Sequence, residues 1–166
     1  MSYVTLALVI ALVVLALYVR SYYTYPETTA ILQTSMSDFS FDQVLQKQLL
    51  VIDDTHSTKD VDIICEAWFR LNYIIRFELT GCDAWYQNRF KYLIMQAHDD
   101  DTEVFFFPPG NTNIDADGAP EENENVVAIQ MSAHQSVIVP LHWRYMIPVG
   151  AHLSCIGIHD LITYFT

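Results

Sequence analysis

The residues best suited to chemistry in this chain are carboxylates and imidazoles, and their sharpest spacing is Asn113-x-Asp115-x-Asp117-Gly118 followed by Glu124. These fall on the first, third, fifth, sixth and twelfth positions of a calcium loop, where oxygen donors surround a hard cation and glycine permits the sharp turn. Pro120 occupies the eighth position, which in such loops pairs as a short strand, and neither flank reads as a helix. The expectation is a solvated acidic loop over Asn111–Asn125, with calcium held by Asn113, Asp115, Asp117 and Glu124 as the competing reading. His98-Asp99-Asp100-Asp101 carries ligand-type residues too, but consecutive residues in a turn cannot all face one ion, so it reads as a polar hairpin tip.

A second chemistry is suggested by six histidines, His56, His98, His134, His142, His152 and His159. Two imidazoles and a carboxylate inside a β-barrel would hold iron with positions open for oxygen. The histidines are scattered, however, among aromatic-rich strands and turns, where packed or surface imidazoles are the commoner outcome. No G-x-S-x-G elbow and no phosphate-binding P-loop occur. Cys65, Cys82 and Cys155 are odd in number and far apart, with no C-x-x-C pair, which suits reduced, buried thiols rather than a disulfide or zinc framework. The sequence therefore assigns no catalytic residue, no cofactor and no small-molecule substrate, and the expected function is not enzymatic.

What positions everything else is the opening stretch, Tyr3–Val19, which is free of charge. At about 1.5 Å per helical residue it extends roughly 25 Å, the short end of what crosses a hydrocarbon core. A cleaved signal would have a basic start and a small-x-small exit, and neither is present; a buried core helix apolar on every face would need a larger protein around it. A retained anchor is expected, with Tyr18, Tyr22, Tyr23 and Tyr25 as an aromatic belt at the headgroups. Arg20, the only base near either end, places the following domain on the cytoplasmic side by the positive-inside tendency.

The remainder has the size of one domain. Its formal charge of −12, from twenty acids against eight bases, argues against nucleic acid as a partner and against a polybasic grip on anionic lipid. No N-x-S/T acceptor occurs, in keeping with a domain that never enters a secretory lumen. The layout reads as anchor and aromatic exit over 1–25, tether over 26–36 and β domain over 37–166.

Ser37 and Asp38 suggest N-caps for a brief helix turning Phe41, Val44 and Leu45 inward, followed by a buried strand over Gln48–Ile52. Ser57 or Thr58 caps a second helix, whose Val61, Ile64, Trp68 and Leu71 share a face. From Asn72 the period becomes two. Asn72–Thr80 and Tyr86–Ala97 alternate, and Val104–Phe107, Val126–Met131, Ser136–Val139, His142–Ile147 and Leu153–Ile158 follow as short runs broken by proline and glycine. Asp160–Phe165 reads as a last strand or a short helix. The fold class is mainly β: a transmembrane helix, then a jelly-roll or cupin-like sandwich with one or two short helices at its start.

Two stretches resemble the cupin-like, jumonji-type branch of the double-stranded β-helix folds. Lys47-Gln48-Leu49-Leu50-Val51-Ile52 is similar to that family's early K-x-P-V-V-I strand, with Leu49 in place of its proline. Ser136-Val137-Ile138-Val139-Pro140-Leu141-His142-Trp143-Arg144-Tyr145 is similar to its late D-x-x-x-I-P-x-x-W-x-H strand. The resemblance implies the barrel, with Trp143 and Tyr145 as framework aromatics, while Tyr145 stands where the metal-binding histidine would be. Iron and oxoglutarate chemistry is what the family would imply with its ligands present. The overall layout is similar to small virion membrane proteins of large DNA viruses of algae and protists. That implies a minor capsid component whose partners are the lipid bilayer and other structural proteins, with Asn111–Asn125 as a contact loop.

Overall fold

A computed structural model describes residues 2–26, 28–55, 58–97, 102–110, 125–133 and 135–165. The first helix, α1, covers Tyr3–Tyr22; Ser2 caps it by accepting the Thr5 amide on Oγ at 3.3 Å. None of the described residues covers its apolar surface: Leu6, Leu12 and Leu17 are about half exposed, and only Tyr22 at its end is buried.

The segment expected to be a tether contains a strand, β1 (Ile31–Ser35), paired in parallel with β2 (Leu49–Asp53) so that Ile31 faces Leu49 and Ser35 faces Asp53. Short strands at a sheet edge carry little hydrophobic signal, because half of their surface faces solvent. Between them lies α2 (Phe41–Leu45), opened by Ser40, whose amide bonds Gln43 Oε1 at 2.9 Å, rather than by Ser37 or Asp38. Val44 is buried, whereas Leu45, expected inside, is exposed. The third helix, α3 (Thr58–Trp68), buries Val61, Ile64 and Cys65, and Phe69 completes that face. Trp68 stays half exposed, stacked on Phe41 at 5.6 Å, and Leu71 is fully exposed. The helix stops at Trp68, so Leu71 does not inherit its periodicity.

Eight further strands form the body: β3 (Tyr73–Thr80), β4 (Trp85–Gln87), β5 (Tyr92–Ala97), β6 (Thr102–Phe107), β7 (Val127–Met131), β8 (Ser136–Pro140), β9 (Arg144–Met146) and β10 (His152–His159). They pair as an outgoing and a returning chain: β6 with β7, β5 with β8, β4 with β9 and β3 with β10, all antiparallel. Rolling this ribbon puts the strands into two sheets, ordered β1-β2-β8-β5-β10-β3 and β4-β9-β6-β7. That order defines a jelly roll, the double-stranded β-helix of cupin-like folds. A final short helix, α4 (Leu161–Phe165), closes the described chain.

Tyr86–Ala97, read from its alternation as one strand, is two strands in opposite sheets. The crossing is fixed by Asn88, fully buried: its Nδ2 donates to the carbonyls of Val139 and Pro140 at 2.9 Å each, and its Oδ1 accepts the Phe90 amide at 2.9 Å. Its backbone amide also reaches Trp143 O at 2.8 Å. A side chain that satisfies three backbone groups can replace ladder bonds where a strand leaves its sheet.

The middle strands of the six-stranded sheet are buried on both faces. Leu49, Val51, Leu93, Met95, Val137 and Val139 point between the sheets, where they meet Val104, Phe106, Met131 and Trp143. Leu50, Ile52, Tyr92, Ile94 and Ile138 point the other way, under α2 and α3. This double burial explains the unbroken apolar runs of β2 and β8, which an exposed sheet face would not allow.

Candidate functional site

Two places in this fold can carry function: the barrel interior, where the resemblance would put a metal, and the junction between α1 and the barrel. In the interior, Tyr145 on β9 is buried and lies opposite Tyr86 on β4, the two rings stacked at 5.8 Å. Burial pushes its phenol up to about 12, so at neutral pH it offers a protonated hydroxyl rather than an anionic ligand. The partner strand β4 brings Trp85, Tyr86 and Gln87, with no imidazole or carboxylate. Around them the cavity is filled by Trp143, Phe106, Met95, Met131 and Leu153. Among the described residues no group of three His, Cys, Asp or Glu comes together to hold a metal ion. The residues at this position do not fit an iron centre. Trp143 and Tyr145 do occupy the framework positions expected of them.

The described histidines are dispersed. His152 and His159 lie at opposite ends of β10, the first near Thr80 Oγ1 at 3.4 Å, the second against the Phe90 ring at 4.6 Å. His142 sits between Tyr23 and Tyr25, each ring 6.0 Å away. His56, His98 and His134 lie outside the described residues, as do Asn113, Asp115, Asp117 and Glu124 of the calcium-like loop, which falls in the β6–β7 connection. Cys65 and Cys155 are buried free thiols, as expected, and Cys82 is an exposed one.

The junction is where the sequence offered a belt of tyrosines and the structure supplies their partners. Asp160, just before α4, accepts the amides of Ile162 and Thr163 on Oδ1 at 3.1 Å each, capping that helix. Its Oδ2 accepts the Tyr18 hydroxyl at 2.5 Å, bonds the Tyr22 hydroxyl as well, and pairs with Lys91 Nζ at 3.0 Å. One carboxylate thus ties the end of α1 to the end of the barrel. On the other side Lys47 Nζ donates to Thr24 O at 2.8 Å and to Ser21 O, capping the carbonyl end of α1 with positive charge. Lys47 is itself held in a left-handed turn (φ 55°) after α2, and its carbonyl accepts the Trp143 indole N–H at 3.3 Å. Burial lowers the pKa of both lysines, and the charge of Lys47 lowers Lys91 further. The signal in the sequence was the tyrosine cluster alone; Asp160, Lys47 and Lys91 are far apart along the chain.

Two expected outcomes arise from this geometry. Asp160→Ala removes both the α4 cap and the acceptor for the tyrosines, and should destabilise the protein by about 1–2 kcal/mol. Amide hydrogen exchange over residues 18–25 should speed up with it, while exchange in β5 and β8 should not. Burial and the nearby Lys47 lower the pKa of His142 from the ordinary 6.5. The folded state therefore resists protonating it, and its contribution to stability is present above 6.5 and lost as pH falls through the lowered value. Its backbone is left-handed (φ 68°), which asparagine tolerates. A melting series across this range should be flatter for His142→Asn than for the native chain.

No family model matches the chain, and no curated protein matches it. Among solved structures the chain is similar to RmlC from Streptococcus suis in complex with dTDP-D-xylose, with 10% identity and a TM-score of 0.35. The similar region covers 68% of this chain and 61% of that one, so the chain spans about three fifths of its length. The class defined by the strand order and the junction is a jelly-roll domain docked against one long apolar helix.

Proposed function

We propose that this chain is a single-pass membrane protein whose jelly-roll domain works by protein–protein contact and not by catalysis. Its place would be that of a minor capsid component joining an inner membrane to a capsid shell, with the domain on the cytoplasmic, capsid-facing side. The observation that carries the reading is the pairing of a 20-residue apolar helix, left uncovered by the described residues, with a barrel interior filled by apolar side chains. An uncovered helix of this length needs lipid, and a filled interior leaves no room for a substrate. Arg20 at the domain end of α1, with Lys47 and Lys91 beside it, favours the cytoplasmic side for the domain. The virion assignment rests on the likeness of layout to small viral membrane proteins.

The full-length chain should remain in the membrane pellet after alkaline carbonate washing, and the purified protein should contain no stoichiometric iron or manganese. Cross-linking within intact particles should join the domain to a capsid protein. Stoichiometric iron or manganese would overturn the non-catalytic reading. A melting temperature raised by calcium, with the rise abolished in Asp117→Ala, would make the 113–124 loop a cation-dependent contact site.

A further inference from the structure

The net charge of −12 hides an uneven distribution. Four of the eight basic residues, Arg20, Lys47, Arg89 and Lys91, gather around the end of α1. Three adjoining clefts open there, of about 340, 220 and 450 Å³, and no aspartate or glutamate lines any of them among the described residues. The cleft of 340 Å³ has Lys47 and Lys91 on its walls together with the hydroxyl-bearing Tyr18, Ser21, Tyr22 and Tyr25. Leu45, Pro140 and Leu141 make its apolar wall, beside the ring of Tyr92. It continues past Leu45 and Lys47 into the largest cleft, which reaches Leu17 on the apolar surface of α1.

The chemistry of this arrangement is amphipathic in one direction. Cations and hydroxyls stand at one end, and aliphatic side chains run from there along a helix. The length of α1, about 30 Å, matches a hydrocarbon core and sets its last turns at headgroup depth. Lys91 already neutralises Asp160, and the polar contacts of Lys47 are neutral carbonyls, so the pair carries a net positive charge in a partly buried place. Burial and the charge of Lys47 lower the pKa of Lys91, which an anion in the cleft would relieve.

We propose that the cleft between Lys47 and Lys91 binds the phosphate of an anionic phospholipid in the leaflet where α1 leaves the bilayer, with an acyl chain lying along Leu17 and Leu45. This rests on the membrane reading of α1. The lipid would complete the junction by joining the domain to the leaflet through charge as well as through α1.

The test uses full-length protein reconstituted into phosphatidylcholine vesicles with phosphatidylglycerol as a minor component. Native mass spectrometry then measures the ratio of the two lipids retained. Phosphatidylglycerol should be enriched over its share of the vesicle, and Lys47→Gln should lower the enrichment about fivefold. Lys47→Arg should keep it, and Lys59→Gln, on α3 and lining none of these clefts, should leave it unchanged. Equal enrichment in the native chain and Lys47→Gln overturns the proposal. So does displacement of phosphatidylglycerol by inorganic phosphate, which would mark a site for the free anion. A protein that stays in carbonate-washed phosphatidylcholine vesicles but shows no lipid preference defeats this inference alone. One that washes out defeats the membrane reading with it.

Discussion

Trp143→Ala is expected to cost about 3–5 kcal/mol, the largest loss that any single truncation of the interior should produce. Trp143 is 1% exposed and stands in the packed space between the sheets. Removing its indole leaves a cavity that neighbours on two rigid sheets cannot close. It also deprives Lys47 O of its donor, and Lys47 holds the end of α1. The loss should therefore appear twice: as a melting temperature lower by roughly 10 °C, and as faster amide exchange over residues 18–25. Trp143→Phe fills most of the space and should cost less in melting temperature, while affecting α1 to the same degree, because phenylalanine cannot donate. A loss under about 1 kcal/mol for Trp143→Ala, typical of a surface change, would mean that the interior is not packed around this residue.

Leu12→Arg should release the protein from membranes while leaving the jelly roll folded. Leu12 lies at the middle of α1 and is 56% exposed, so its side chain contributes little to packing within the protein. Placing arginine at the centre of a span costs about 3 kcal/mol on insertion scales, a change of roughly a hundredfold in the insertion equilibrium. The fraction remaining in carbonate-washed membranes should fall sharply for Leu12→Arg and stay at the native level for Leu12→Ile. The β signal in circular dichroism should be the same for all three proteins. Undiminished retention of Leu12→Arg would show that something other than α1 holds the chain to lipid.

The filled interior and the uncovered helix bear on each other. The interior holds Trp143, Phe106, Met95 and Met131 packed between the two sheets, while α1 lies outside it. At the helix exit Asp160 organises two tyrosines, a lysine and the first turn of α4.

Period and composition were enough for much of the architecture. An uncharged run of this length, apolar on every face, marks α1 as a helix long enough to span a bilayer. The alternation in Tyr73–Thr80 identified β3, and the breaks at Pro140, Pro148 and Gly150 separated β8, β9 and β10, because proline and glycine act on the backbone locally. Trp143 and Tyr145 were legible as framework residues through the resemblance of the stretch that carries them.

Only the tertiary structure decided the rest, and the reason is distance along the chain. The break at Asn88 is invisible to alternation, because its hydrogen bonds go to Val139 and Pro140, some fifty residues away. The strand Ile31–Ser35 is a strand because Leu49–Asp53 lies beside it. The inward turn of Val44 but not Leu45 depends on where the six-stranded sheet passes beneath α2. The tyrosines near residue 20 were read as a belt facing lipid; Tyr22 is buried against the domain, since Asp160, 138 residues later, offers its hydroxyl a charged acceptor. Local sequence carries the backbone's preferences, while pairing partners and charge clusters exist only once the ribbon has rolled up.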